Sequence, residues 1–220
     1  MTSISLRVPL TSEQIHAATR IHDRLVSWKA TDAALDELAR SMPGFSLGEC
    51  LVKASAINQL YGTNVYALGR MAEHIEQVLS EEQSVDLVER LATLNTNGKP
   101  RRHLSFASKF AHFYIDKDRF PIFGGYAIER LRFHLSSVNL PTDNPPLFAD
   151  YVAAHSALIA LCRLGCTGRE LDRYLWLGGL YRAWSRNPNA PINVEVRTLF
   201  LKSDEDGTLR HDLNELQPTA

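Results

Sequence analysis

Apolar positions recur at spacings of three and four along most of this 220-residue chain, the period of helices that lay one face on a core. Ile15, Ala18, Ile21, Leu25 and Trp28 form the first stripe, with Thr11 and Ser12 before it as cap residues. Thr31-Asp32 marks the start of a second helix running to about Ser41, where Met42-Pro43-Gly44 ends it. A third runs from about Leu47 to Leu60 and stops at Tyr61-Gly62. A fourth carries Val65, Leu68, Met71, Ile75 and Leu79, capped by Thr63 or Asn64. Ser84 to Leu94 makes a fifth, broken by Asn95-Thr96-Asn97-Gly98. Phe106, Phe110 and Phe113 then share one face of a helix over Phe106 to Ile115, with Ser105 at its N-cap. Helices over about Tyr126 to Leu135, Phe148 to Leu164 and Gly168 to Ser185 follow. Between them Ser136 to Pro146, with three prolines, reads as a loop and a boundary between lobes. Asn193 to Lys202 stays open, since Val194, Val196 and Thr198 alternate like a strand while Leu199 to Leu201 do not. From about Ser203 the chain is polar and reads as a frayed tail. The pattern predicts an all-α protein of about nine or ten helices.

Composition changes this little. A hydrophobic share of 45% and a charged share of 22% are those of an ordinary globular chain, long enough for one large domain or two lobes. No apolar run approaches ~18 residues, so no membrane span is expected. The opening MTSISLRVPL lacks a basic region followed by an apolar one, so no leader is expected either. Three cysteines suit a reducing compartment, and the expected location is cytoplasmic.

Charge matters more. The net charge of −1 conceals a division, because residues 99–134 carry eight Lys and Arg against three acids, whereas residues 73–89 carry six acids and no Lys or Arg. A basic patch on a near-neutral chain localises an anionic partner. Solvated helix faces are the alternative reading of each run. Lys99, Arg101, Arg102, His103 and Ser105 lead into a helix N-terminus, where free N–H groups and the positive end of the helix dipole suit a phosphate. Lys109 stands beside the phenylalanine stripe of that helix, next to whatever such a phosphate carries. An ordinary surface lysine is its alternative.

Asn58 and Tyr61 offer an amide and a phenol for a base edge or a backbone phosphate. A C-cap amide and a packed ring explain them equally. Tyr174, Trp176, Tyr181 and Trp184 concentrate aromatic surface on a late helix, of which at least two are expected in the core. Asp116 and Asp118 read as a solvated turn. No His-x-x-x-His pair occurs, and Cys162 and Cys166 lack further ligands nearby, so neither a metal nor a cofactor is expected. No nucleotide-binding glycine loop and no Gly-x-Ser-x-Gly elbow is present.

The order of these features resembles a known group. A basic hairpin, Ser108-Lys109 on a helix, the turn Phe120-Pro121-Ile122 and a further helix are similar to the helix-hairpin-helix DNA glycosylases, in particular to bacterial proteins like 8-oxoguanine DNA glycosylase. KASAINQLYGTNVYAL (53–68) and ELDRYLWLGGLYRAW (170–184) agree, so the likeness covers roughly residues 25–200. It implies a two-lobed helical fold with a helix-hairpin-helix over about 84–116 and a DNA groove between the lobes. It also implies a monomer acting on duplex DNA, with a damaged or modified base flipped into a pocket near Asn58, Tyr61, Gly124 and Trp176. Oxidised guanine and bulky phage-modified bases are both open as substrates, hence repair or phage defence.

In that group the lysine corresponding to Lys109 attacks the sugar C1′, expels the base and forms a Schiff base able to cleave the strand. An apolar setting with nearby cations favours the unprotonated amine this needs. The aspartate expected after the turn is replaced here by Gly124. Three explanations stand: Asp172 substitutes for it, the protein binds DNA without cutting, or the substitution disabled an ancestral enzyme.

Overall fold

The computed structural model describes residues 4–81, 86–96, 99–136, 138–141, 146–204 and 206–217. Among them eleven α-helices dominate, and the class is all-α. In order the elements are β1 (Ser5–Leu6), α1 (Ser12–Asp23), α2 (Val26–Ser41), α3 (Leu47–Tyr61), α4 (Leu68–Ser80) and α5 (Leu87–Ala92). Then come β2 (Thr93–Thr96), β3 (Lys99–Arg102), α6 (Leu104–Tyr114), α7 (Gly125–His134), β4 (Leu135–Ser136) and α8 (Phe148–Cys162). The chain closes with α9 (Gly168–Arg186), α10 (Val194–Leu201), a 3-10 turn (Lys202–Asp204) and α11 (Gly207–Glu215).

Where a helix boundary is a matter of neighbouring residues, it follows the sequence signal. Thr11 caps α1 with a reciprocal box, its N–H donating to Gln14 Oε1 at 3.0 Å and its hydroxyl accepting from Gln14 N at 3.3 Å. Thr167 and Glu170 do the same for α9. Gly62 ends α3 in the left-handed conformation, φ 57°, that its lack of a Cβ permits.

Elsewhere the structure corrects the expectation. α2 runs straight through Thr31-Asp32, because its apolar stripe continues to the fully buried Leu35, and Asp32 accepts from the Tyr61 hydroxyl at 3.0 Å instead of capping. α4 starts only at Leu68, and α5 ends at Ala92, where the chain turns extended into β2. α6 begins at Leu104 with His103 at its N-cap, so Ser105 lies inside the first turn and caps nothing. Asn193 settles the ambiguous segment as α10, its Oδ1 accepting from Glu195 N and Val196 N.

The expected polar tail is a packed helix. Asp206 caps α11 through Leu209 N at 2.9 Å, and Leu209, Leu213 and Leu216 are buried. Arg24, the C-cap residue of α1, and Arg20 within it pair with Asp206 and with the buried Asp212, at 2.6 and 2.7 Å. The two-residue pair β1 with β4, antiparallel, had no sequence signal.

The chain folds as two compact units. Unit 1 comprises Met1–Ala30, Gly124–Pro146 and Asp150–Ala220; unit 2 comprises Thr31–Phe123 and Leu147–Ala149. In unit 1, α9 packs against α1 and α7, and α11 packs against α1. The unit is organised around the buried trio Arg130, His134 and Tyr174. Arg130 Nε and Nη2 donate to the Tyr174 oxygen at 3.1 and 2.8 Å, and Tyr174 in turn lies 2.8 Å from His134 Nε2. His134 Nδ1–H donates to Val8 C=O at 2.8 Å, which leaves Nε2 to accept from the tyrosine hydroxyl. In unit 2, α3 packs on α4 and α6, and α5 packs on α4 and α6. Its core is aromatic, with Phe106, Phe110 and Phe113 all buried.

Candidate functional site

In unit 2 the sharpest chemistry gathers where α3 meets α6. The phenylalanine stripe pulls one face of α6 inward, and Lys109, beside that stripe, goes in with it to 7% exposure. Its ammonium folds back along the helix and donates to Ser105 Oγ at 2.7 Å and Ser105 C=O at 3.1 Å. The Tyr61 ring lies 5.5 Å from Nζ, within cation–π range, and Tyr61 itself packs at a tilt against Phe113, ring centroids 5.7 Å apart. Ser105 is thus the lysine's anchor. Asn58 serves the turn after α3: its Oδ1 accepts from Thr63 Oγ1 at 2.9 Å and Val65 N at 2.8 Å. The cap reading of that amide describes what its acceptor does.

The turn after α6 is tied back onto it. Phe123 N donates to Ser108 Oγ at 3.1 Å, and His112 Nδ1–H donates to Phe120 C=O at 2.9 Å. Asp116 holds the intervening loop through Asp118 N and Arg119 N, as a turn aspartate does.

Before α6 stands an antiparallel hairpin with Thr93 opposite Arg102 and Thr96 opposite Lys99. The Lys99 side chain and residues 97–98 lie outside the described residues. Arg101 is exposed, whereas Arg102 is held in a two-pronged pair with Glu89 at 3.0 and 2.7 Å. The Arg102 charge is therefore largely spoken for. Burial, and then Arg101 nearby, push the His103 imidazole pKa down.

A second buried lysine escaped the sequence reading. Lys53 of α3 is 1% exposed, donates to Gly44 C=O at 2.6 Å and lies 4.1 Å from the Phe45 ring centroid. Desolvation lowers its pKa against the opposing pull of Glu49 and Cys50. Its signal was present in α3, where Cys50, Lys53, Ala54 and Ile57 share one face at spacings of three and four.

The remaining candidates belong to unit 1. Gly124 is the N-cap residue of α7 in ordinary extended backbone, φ −163°, and a Cβ there meets nothing within 4 Å. Asp172 sits in the second turn of α9, 4% exposed, with Oδ1 3.3 Å from His155 Nε2. Trp176 packs edge-on against Trp28 at 4.8 Å. Of the four late aromatics, Tyr174 and Tyr181 are buried, while Trp176 and Trp184 stay half-buried.

The chain is all-α, and the unit that carries the β-hairpin also buries two lysines, Lys53 of α3 and Lys109 of α6. Residues 14–119, which hold both lysines and the hairpin, match the family model HI_0787_N, described as an N-terminal domain. Over 128 residues the chain is 27% identical to a protein of Haemophilus influenzae described as "Uncharacterized protein", covering 56% of this chain and 62% of the relative's length. No solved structure matches. No helix among the described residues is long and apolar enough to cross a membrane.

Proposed function

We propose that this chain is a DNA glycosylase of the helix-hairpin-helix kind, which flips a damaged or modified base and excises it with Lys109 as nucleophile. The observation that supports this best is the placement of Lys109. A lysine buried in an aromatic stripe, anchored on Ser105 one turn back and preceded by a basic hairpin, has a use in attack on a sugar carbon beside a phosphate. The amine attacks C1′, the bond to the base breaks, and the base leaves with the electron pair. Loss of a proton from nitrogen and opening of the sugar then give a Schiff base, which borohydride reduces to a stable adduct.

The test is trapping with borohydride on duplexes carrying single modified bases. The expected result is an adduct present in the wild type and in Lys53→Ala but absent from Lys109→Ala. An adduct surviving Lys109→Ala and lost in Lys53→Ala would reassign the nucleophile.

Gly124 favours a second reading, a DNA-binding module without excision, since no carboxylate stands at the head of α7. It is supported if no duplex is cut or trapped while binding persists. Either reading expects Arg101→Ala to weaken binding on all sequences and reduce the salt slope by about one. Arg102→Ala should weaken it less, because Glu89 already engages that guanidinium.

A further inference from the structure

Unit 1 contains a cavity of about 270 Å³ that neither of these readings uses. Arg130, Phe133, Gly178, Arg182 and Arg186 line it, and no Asp or Glu is among its lining residues. We propose that this cavity binds a dianionic phosphate group carried by a small molecule.

Three guanidinium groups converge here from α7 and α9. Arg182 and Arg186 are one helical turn apart on α9, a spacing at which like charges repel. Phe133 lies between cations, with the Arg130 and Arg182 guanidinium carbons each 5.0 Å from its ring centroid. Burial, together with the charges of Arg186 and Arg130, pushes the Arg182 pKa below its ordinary value, with only Glu129 opposing.

Arg130 is held rigidly. It is 2% exposed, and its Nε and Nη2 are engaged by the Tyr174 oxygen and Leu216 C=O, which leaves Nη1 without a hydrogen-bond partner among the described residues. Arg182 and Arg186 have no hydrogen-bond or ion-pair partner among them at all. Gly178 keeps room for this arrangement, since a Cβ there would stand 3.0 Å from Arg130 Nε.

Cations gathered in a recess lined by no carboxylate repel one another, and an anion that accepts from all three relieves that repulsion. Planar guanidinium forks match phosphate oxygens two at a time. A phosphodiester in a DNA backbone carries one negative charge and has two free oxygens. A terminal phosphate has three oxygens and close to two charges, which fits three donors better. The inference is independent of the glycosylase reading.

Calorimetric titration of the full chain at low salt tests it, with inorganic phosphate and pyrophosphate as probes and succinate as a dianion of another shape. The expected result is saturable binding of pyrophosphate and phosphate, weakened at least roughly tenfold in Arg182→Gln/Arg186→Gln, with succinate much weaker. Both substitutions are on solvent-accessible side chains, and a circular dichroism melt matching the wild type confirms that the double variant is folded. A short oligonucleotide with and without a 5′-phosphate identifies the source. A 5′-phosphate that raises affinity only in the wild type places the group on a nucleic-acid end and overturns the small-molecule assignment. Equal affinity for succinate, binding undiminished in the double variant, or no saturable binding overturns the site itself.

Discussion

At Gly179 the backbones of α7 and α9 approach so closely that a single methyl group measures how firmly unit 1 is packed. A Cβ built there would stand 2.5 Å from Tyr126 O, 2.8 Å from Tyr126 Cβ and 2.9 Å from Tyr126 C. Two of those three atoms are backbone, so no rotamer change clears the clash. Ordinary carbon contacts begin near 3.5 Å, so Gly179→Ala must push α7 and α9 apart locally by about 1 Å. Overpacking of this kind costs about 1–3 kcal/mol. Removing a glycine from a helix interior gives back roughly 0.5–1 kcal/mol. Because the clash is with backbone, the cost lies in the upper half of the overpacking range, so the net loss is about 1–2.5 kcal/mol, and at about 2–4 °C per kcal/mol for a chain of this size Tm should fall by roughly 2–10 °C. Gly48→Ala is the matched control, since a Cβ at that exposed position in the first turn of α3 meets nothing within 4 Å. Thermal melts followed by circular dichroism at 222 nm measure both. A Gly179→Ala protein melting at or above the wild-type temperature would refute the reasoning, for the two helices would then not depend on that contact.

Stability should fall on mild acidification through His134, whose burial, aided by Arg130, lowers its pKa from 6.5 to about 4 against the opposing Val8 hydrogen bond. The unfolded chain binds that proton first, so the contribution is complete above about pH 6.5 and is lost as pH falls toward 4. Its size is at most roughly 3 kcal/mol, and His134→Gln should flatten the acid limb of a stability–pH curve; an unchanged limb counts against the assignment. Gly124→Asp should fold at least as well as the wild type, gaining a few tenths of a kcal/mol, because the site has room and α7 lacks a side-chain cap. On the glycosylase reading it should also raise base excision, whereas excision unchanged by Gly124→Asp but abolished by Asp172→Asn makes Asp172 the acting acid.

What the sequence determined by itself was decided within a few residues of each position. Thr11 with Gln14, Thr167 with Glu170 and the left-handed Gly62 mark helix ends because a cap satisfies backbone groups two or three residues away. The phenylalanine stripe of α6 carried the burial of Lys109 for the same reason, since its period is that of the helix. Tertiary structure decided whatever depends on residues far apart in the chain. The tail became α11 because Asp212 meets Arg20, 192 positions away, and because its leucines found a place against α1. Thr31-Asp32 lost its role as a helix start because the stripe beneath it continued and Tyr61 supplied another partner for the carboxylate. The Arg130 cavity could not be read in advance, since its walls come from α7, α9 and the end of α11, and only packing brings three like charges together. Local rules fix where backbone groups are satisfied, whereas burial and charge are properties of the neighbours that the fold assembles.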